Sequence, residues 1–279
     1  MSMDRALPER SWHASLDLEF RRSGATTALG RRRHVGPLRV QKPFYPGDGA
    51  CHVYVLHPPG GVAGGDSLAL KIQCVDNTNA LVTNPAATKI YRSNSAHSDV
   101  SNHFRVANSA SLEWLPHDTI VFGGSRLRQR TIVDLAEHAA FFGSDVISLG
   151  RPRSGDHYQS GTLEQHLEIR VDDRPQLIER QQWSAGDAVL KESWGLGGCA
   201  VVGALYCYPA NESTLAQSRA ALRWARFEVA AATLVDRILI LRAIGNDGVK
   251  MQERIRMVWS SLRNSITGLA PHEPRVWAT

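Results

Sequence analysis

Trp12-His13-Ala14-Ser15-Leu16-Asp17-Leu18-Glu19-Phe20-Arg21 alternates apolar and polar side chains without a break. Successive side chains on a strand point to opposite sides, so this strict period of two predicts a strand with one buried and one wet face. The same period recurs at Leu68, Leu70, Ile72 and Cys74, at Leu127, Gln129, Thr131, Val133 and Leu135, and at Leu163, Gln165, Leu167, Ile169 and Val171. Gly, Pro, Asn or Asp bounds each run. The last passes through Asp172-Asp173-Arg174-Pro175 and returns along Leu177-Ile178-Glu179-Arg180, which predicts a hairpin. Shorter apolar runs lie at 51–56, 119–122 and 200–206, and nothing from 11 to about 210 reads as a long helix.

The C-terminal quarter changes period. Ser213 is placed to cap a helix running to about Ala225, and an apolar strand over 237–244 is closed by Gly245-Asn246-Asp247-Gly248. Val249, Ile255, Trp259, Leu262 and Ile266 then fall at helical spacing, with Asn246 or Asp247 as N-cap and Gly268 suited to the left-handed C-terminal position. The expectation is a mainly β protein: one domain over 1–279, built of many antiparallel strands with two α-helices in the C-terminal quarter. With 279 residues, 43% hydrophobic and 21% charged, the chain is large enough for a core without disulfide staples. The lack of an uncharged apolar run of ~18 residues excludes a helical membrane span. The opening MSMDRALPERSWHASLDLEF carries no apolar export signal, and Cys51, Cys74, Cys199 and Cys207 form no C-x-x-C pair, so a reducing cytoplasm is expected.

His57-Pro58-Pro59-Gly60-Gly61-Val62-Ala63-Gly64-Gly65-Asp66 continues neither strand nor helix and must be a shaped loop. Either its backbone approaches a phosphate or partner, with Asp66 free to hold a cation, or it is a tight reversal between the strands at 51–56 and 68–74. It is not a P-loop, since G-x-x-x-x-G-K-[ST] is absent. Gly195-Leu196-Gly197-Gly198-Cys199-Ala200 matches a dinucleotide pattern, yet strand-like Val201 to Tyr206 follows where a helix is required. Cys51-His52 with His57, and His97 with His103, are partial metal sets without ligand spacing, and there is no G-x-S-x-G elbow. Net charge is +5, and of 32 basic residues only five are lysine. Arg31-Arg32-Arg33 and the stripe Arg126, Arg128 and Arg130 suit an acidic protein surface or solvent; without interleaved aromatics they make a poor nucleic-acid face. A β-rich metal-dependent hydrolase and a nucleic-acid-binding module are the rival classes, and neither has its motif here.

Leu56 to Asp66, followed by Ala86-Ala87-Thr88-Lys89-Ile90-Tyr91-Arg92-Ser93, resembles the UreD (UreH) family of urease accessory proteins. Further blocks in the family's order are Gly36 to Pro46, Trp114 to Phe122, Leu149 to Asp156 and Pro274-Arg275-Val276-Trp277. The resemblance implies a β-helix-like fold with two helices, no enzyme activity and no tightly bound cofactor. It implies a scaffold that binds UreF, recruits the GTPase UreG through that complex and docks on urease apoprotein, with neither nucleic acid nor membrane as partner. Nickel would be passed transiently, in some members through an internal water-filled tunnel. Such a path needs carboxylates and carbonyls that release Ni²⁺, where a His/Cys cage would trap it. Asp66, Asp145, Asp156 and Glu179 are the candidates to line it; the alternative is that each caps a turn or pairs with an arginine such as Arg92, Arg151 or Arg180. Trp277 and Arg275 are candidates for the UreF-binding face. Trp259 is considered with them, although its place on the apolar helix stripe favours the protein's own core.

Overall fold

The computed structural model describes residues 11–278, so the first half of the stretch read for an export signal, 1–10, lies outside the described residues. In chain order the strands are β1 (His13–Ser23), β2 (Thr26–Val35), β3 (Arg39–Val40), β4 (Cys51–Leu56), β5 (Ser67–Cys74), β6 (Asn79–Thr83), β7 (Thr88–Ile90), β8 (Ser98–Val106), β9 (Ser111–Trp114), β10 (Thr119–Val121), β11 (Arg126–Leu135), β12 (Ala140–Leu149), β13 (Thr162–Val171), β14 (Arg174–Ser184), β15 (Val201–Tyr208), β16 (Val229–Val235) and β17 (Ile238–Gly245). The helices are α1 (Ala188–Lys191), α2 (Glu212–Ala225) and α3 (Gly248–Thr267).

Two sheets face each other. One has the order β14-β13-β11-β8-β5-β1-β2 and the other β16-β17-β15-β12-β9-β6-β4-β3, with β7 and β10 forming a short ladder beside β12. From β4 to β13 the chain alternates between the sheets, so each strand is laid down in the same direction as its neighbour. β1-β5-β8-β11-β13 and β4-β6-β9-β12 are therefore parallel ladders, and the architecture is a β-solenoid. Antiparallel pairs are confined to the flanks: β1-β2, β13-β14, β3-β4 and the β12-β15-β17-β16 run. This corrects the expectation of mostly antiparallel strands. A period of two reports which face is buried and carries no information on pairing direction. It also corrects the expected tight reversal at 57–66, because β4 and β5 belong to different sheets and the loop carries the chain across.

The seven-stranded sheet is buried on one face, where Leu16, Leu18, Phe20, Ile72, Phe104 and Val133 meet Val53, Val82, Leu112 and Phe141 of the opposing sheet. That opposing sheet is covered on its other side by α2 and α3: Leu81, Phe142, Val146 and Leu205 pack with Leu215, Ile255, Val258 and Trp259. Gly203 lets α3 come close, since a Cβ there would lie 2.7 Å from Met251 Sδ and 2.9 Å from Ile255 Cδ1. The helix caps were partly legible. Asn211, not Ser213, caps α2, its side chain accepting from Thr214 N at 3.0 Å while the Thr214 hydroxyl accepts from Asn211 N at 2.7 Å. Asp247 caps α3 through Lys250 N at 3.2 Å, and Gly268 ends it at φ +73° as expected.

Candidate functional site

Between the sheets, apolar packing gives way to a cavity of about 270 Å³. Two rungs of the seven-stranded sheet face it, reading across β8, β11, β13 and β14: Val100, Gln129, Gln165, Gln181, and Asn102, Thr131, Leu167, Glu179. Gly143 and Asp145 of β12 face it from the other sheet, in register with Tyr206 and Ala204 of β15. Residues opposite one another in a ladder share a face, so strand register alone brings these side chains into one chamber.

Asp145 Oδ2 accepts from Gln165 Nε2 at 2.8 Å and from Gln129 Nε2 at 3.2 Å. Burial outweighs these two donors and pushes the carboxyl up to about 6. Glu179 Oε2 accepts from the Tyr206 hydroxyl at 2.8 Å, and its Oε1 pairs with Arg242. Burial, with Glu179 alongside, drives the Tyr206 phenol well above its ordinary range, so it is a hydrogen-bond donor at all physiological pH. Asn102 Nδ2 donates to Thr131 Oγ1 at 3.1 Å. His117 also lines the chamber; burial and the Arg256 guanidinium, 3.2 Å from its Nε2, push it down to about 4. The chamber thus presents carboxylate, amide and hydroxyl oxygens, the hard donors that suit a divalent cation. Among the described residues no three His, Cys, Asp or Glu side chains are arranged to hold a metal ion together.

Of the four carboxylates singled out in the sequence, Asp145 and Glu179 share this chamber and the other two do not line it. Asp66 accepts from Trp12 N and Ala63 N, both at 2.8 Å, and so fastens the glycine-rich loop onto β1. The loop's Gly61 packs against Tyr91, whose ring a Cβ would meet at 2.3 Å. Asp156 accepts from Gly123 N at 3.0 Å and Tyr158 N at 3.2 Å, with Arg151 4.0 Å away. Trp277 is half-buried, donates to Thr83 Oγ1 at 3.0 Å, and lies between Trp259, 5.4 Å away edge-on, and Arg256, 4.1 Å above its ring. Arg275 is exposed, whereas Trp259 is wholly inside the protein's own core.

Sequence reasoning missed a buried ionic cluster. Arg263 meets Glu113 and Asp48, Asp48 accepts from His52 at 2.9 Å, and Trp259 donates to Glu113 at 2.7 Å. His52 is thereby spoken for and forms no metal set with Cys51 and His57. Also missed were the partners of the chamber carboxylates. A signal existed for two of them: Gln129 and Gln165 occupy inward positions where the period otherwise places aliphatic residues.

Fold and chamber together define a class, the β-solenoid with a helical layer on one sheet and polar side chains gathered between the two sheets. The family profile described as UreD urease accessory protein matches residues 13–278. The chain is 41% identical over 273 residues to urease accessory protein UreD of Klebsiella pneumoniae subsp. pneumoniae, covering 97% of each chain. It is 39% identical to that of Alkalilimnicola ehrlichii, covering 96% of this chain and 92% of the relative, and 38% identical to that of Pseudomonas putida, covering 97% and 96%. The chain belongs to the UreD family of urease accessory proteins. No helix among the described residues is long and apolar enough to cross a membrane.

Proposed function

We propose that the chain is a non-catalytic scaffold for urease maturation, acting in the cytoplasm on urease apoprotein together with UreF and the GTPase UreG, with nickel as its cargo. The observation that supports this reading is that Asp145 and Glu179 line one chamber, whose walls are otherwise largely apolar. Carboxylates encountered singly among amides and hydroxyls bind a divalent ion weakly enough to release it. Asp145 is suited to this exchange, because its carboxyl, raised to about 6, is largely ionised at neutral pH while a proton from solvent still competes with the ion for it. Asp66 and Asp156, tied to backbone amides, hold the loops around the solenoid. The exposed Arg275 and half-buried Trp277 are proposed contacts for UreF, and the four free thiols support a reducing compartment.

Urease would be purified at equal subunit levels from cells with the chain, without it, and with Asp145→Asn or Glu179→Gln. The expected product is nickel-poor, inactive urease without the chain and a marked nickel deficit with either variant. Full nickel content without the chain overturns the maturation role; full content with both folded variants overturns the chamber as the route. Capture of UreF by the Arg275→Ala and Trp277→Ala variants at wild-type strength removes those residues from the docking face.

A further inference from the structure

Both carboxylate oxygens of Glu179 are engaged: Tyr206 donates to Oε2 and Arg242 pairs with Oε1. The two ends of the ion pair come from the two sheets. Glu179 lies on β14, the edge of the seven-stranded sheet, at the end of the rung Asn102, Thr131, Leu167. Arg242 lies on β17, next in the rung Asp145, Ala204 of the other sheet and followed there by Ala231 of the outermost β16. β14 and β17 share no backbone ladder, so on this flank the sheets are joined by side chains. The two partners are unequally buried. Glu179's side chain is 10% exposed, whereas Arg242's is 51% exposed and has solvent to swing into.

We propose that Arg242 is a tethered counter-ion that occupies Glu179 until a divalent cation displaces it. The inference rests on the cation passage proposed above. A guanidinium stays charged at every physiological pH, so it neutralises Glu179 whenever no cargo is present. Its half-exposed pairing is weak and screened, and a doubly charged ion competes with it successfully. The displaced side chain remains on its strand beside the chamber and recovers the carboxylate afterwards, which favours release. Arg263 provides the contrast within the same molecule: 0% exposed between Glu113 and Asp48, it has nowhere to go and serves only to hold the fold.

The experiment is a calorimetric titration of the purified full-length chain with NiCl₂, comparing wild type with Arg242→Gln, Arg242→Lys, Glu179→Gln and Arg242→Gln/Glu179→Gln, thermal melts confirming each fold. Arg242→Gln should bind Ni²⁺ about two- to fivefold more tightly, the range set by an exposed ion pair. Arg242→Lys should stay near wild type, and the double variant should lose the gain. In cells, Arg242→Gln should deliver less nickel to urease although it binds more. Unchanged or weaker binding by folded Arg242→Gln overturns the counter-ion, as does a gain that survives removal of Glu179. If that result is accompanied by nickel-poor urease from the Asp145→Asn and Glu179→Gln strains, the passage stands and only the counter-ion falls. If Arg242→Gln binds more tightly but those two strains mature urease fully, the passage falls, and Arg242 falls with it as a restraint on that route.

Discussion

Arg263 and Glu113, 150 residues apart in sequence, meet as a two-pronged ion pair with Nη2 2.8 Å from Oε1 and Nε 2.9 Å from Oε2, both side chains fully buried. The pair pins α3 to β9. Removing one partner leaves the other fully buried without its main counter-ion, which costs about 3–5 kcal/mol, whereas an apolar pair in its place can be nearly neutral. Urea denaturation of Arg263→Met should show a loss of that size, and Arg263→Met/Glu113→Leu should recover part of it. A double variant no better than the sum of its singles would show that the charges are not coupled.

Asp48 ties the same cluster to its pH dependence. Burial works against its charge, but the His52 and Arg263 hydrogen bonds outweigh it and hold the carboxyl well below the ordinary carboxylate range. A folded value below the unfolded one stabilises the protein above about pH 4 and stops doing so as the pH falls further. The stability advantage of wild type over Asp48→Asn should therefore be full at pH 6 and shrink from about pH 4 downward. A gap that stays constant to pH 3 would separate Asp48 from the acid response.

Asp145 has the opposite sign. Its carboxyl is raised to about 6 by burial, above the unfolded value near 4, so its contribution is most favourable below pH 4 and declines as the pH rises through 6. Asn at this position keeps an oxygen for Gln129 and Gln165 without the buried charge. Asp145→Asn should be more stable than wild type at pH 8 by about 1–3 kcal/mol, and the difference should largely vanish at pH 4. Stability and nickel delivery would then move in opposite directions at one residue.

Gly203→Ala should loosen the helical layer. A Cβ there would overlap Met251 Sδ at 2.7 Å and Ile255 Cδ1 at 2.9 Å, both buried under α3. Overpacking of this kind costs about 1–3 kcal/mol. Thermal melts would read the loss, and Gly203→Ala combined with Met251→Ala should regain part of it if the clash is the cause.

How much the sequence disclosed depended on how many faces of a strand are covered. Leu16, Leu18 and Phe20 sit on a sheet buried on one side, so their period survived intact. Ala140–Leu149 is covered by the seven-stranded sheet on one face and by α3 on the other; Phe141 and Phe142 are both buried, and no period was there to read. The final helix was legible because Ile255, Trp259 and Leu262 face one way. Strand direction was not, since it depends on which sheet the chain enters next. Within the chamber, the inward glutamines were visible as polar residues out of place. The fate of Glu179 was hidden, because Arg242 reaches it only when two sheets close on one another.

A stack of parallel coils has no intrinsic last member, and a bare terminal strand is a template for the next molecule. Here the seven-stranded sheet is folded back on itself at both ends, by the β1-β2 and β13-β14 hairpins. The outermost β2 carries Arg31, Arg32 and Arg33, with Arg31 braced by Asp17 at 3.2 Å and Glu19 at 3.0 Å. The basic run at 31–33 therefore puts charge along an outer edge, a device that discourages strand-to-strand pairing between molecules.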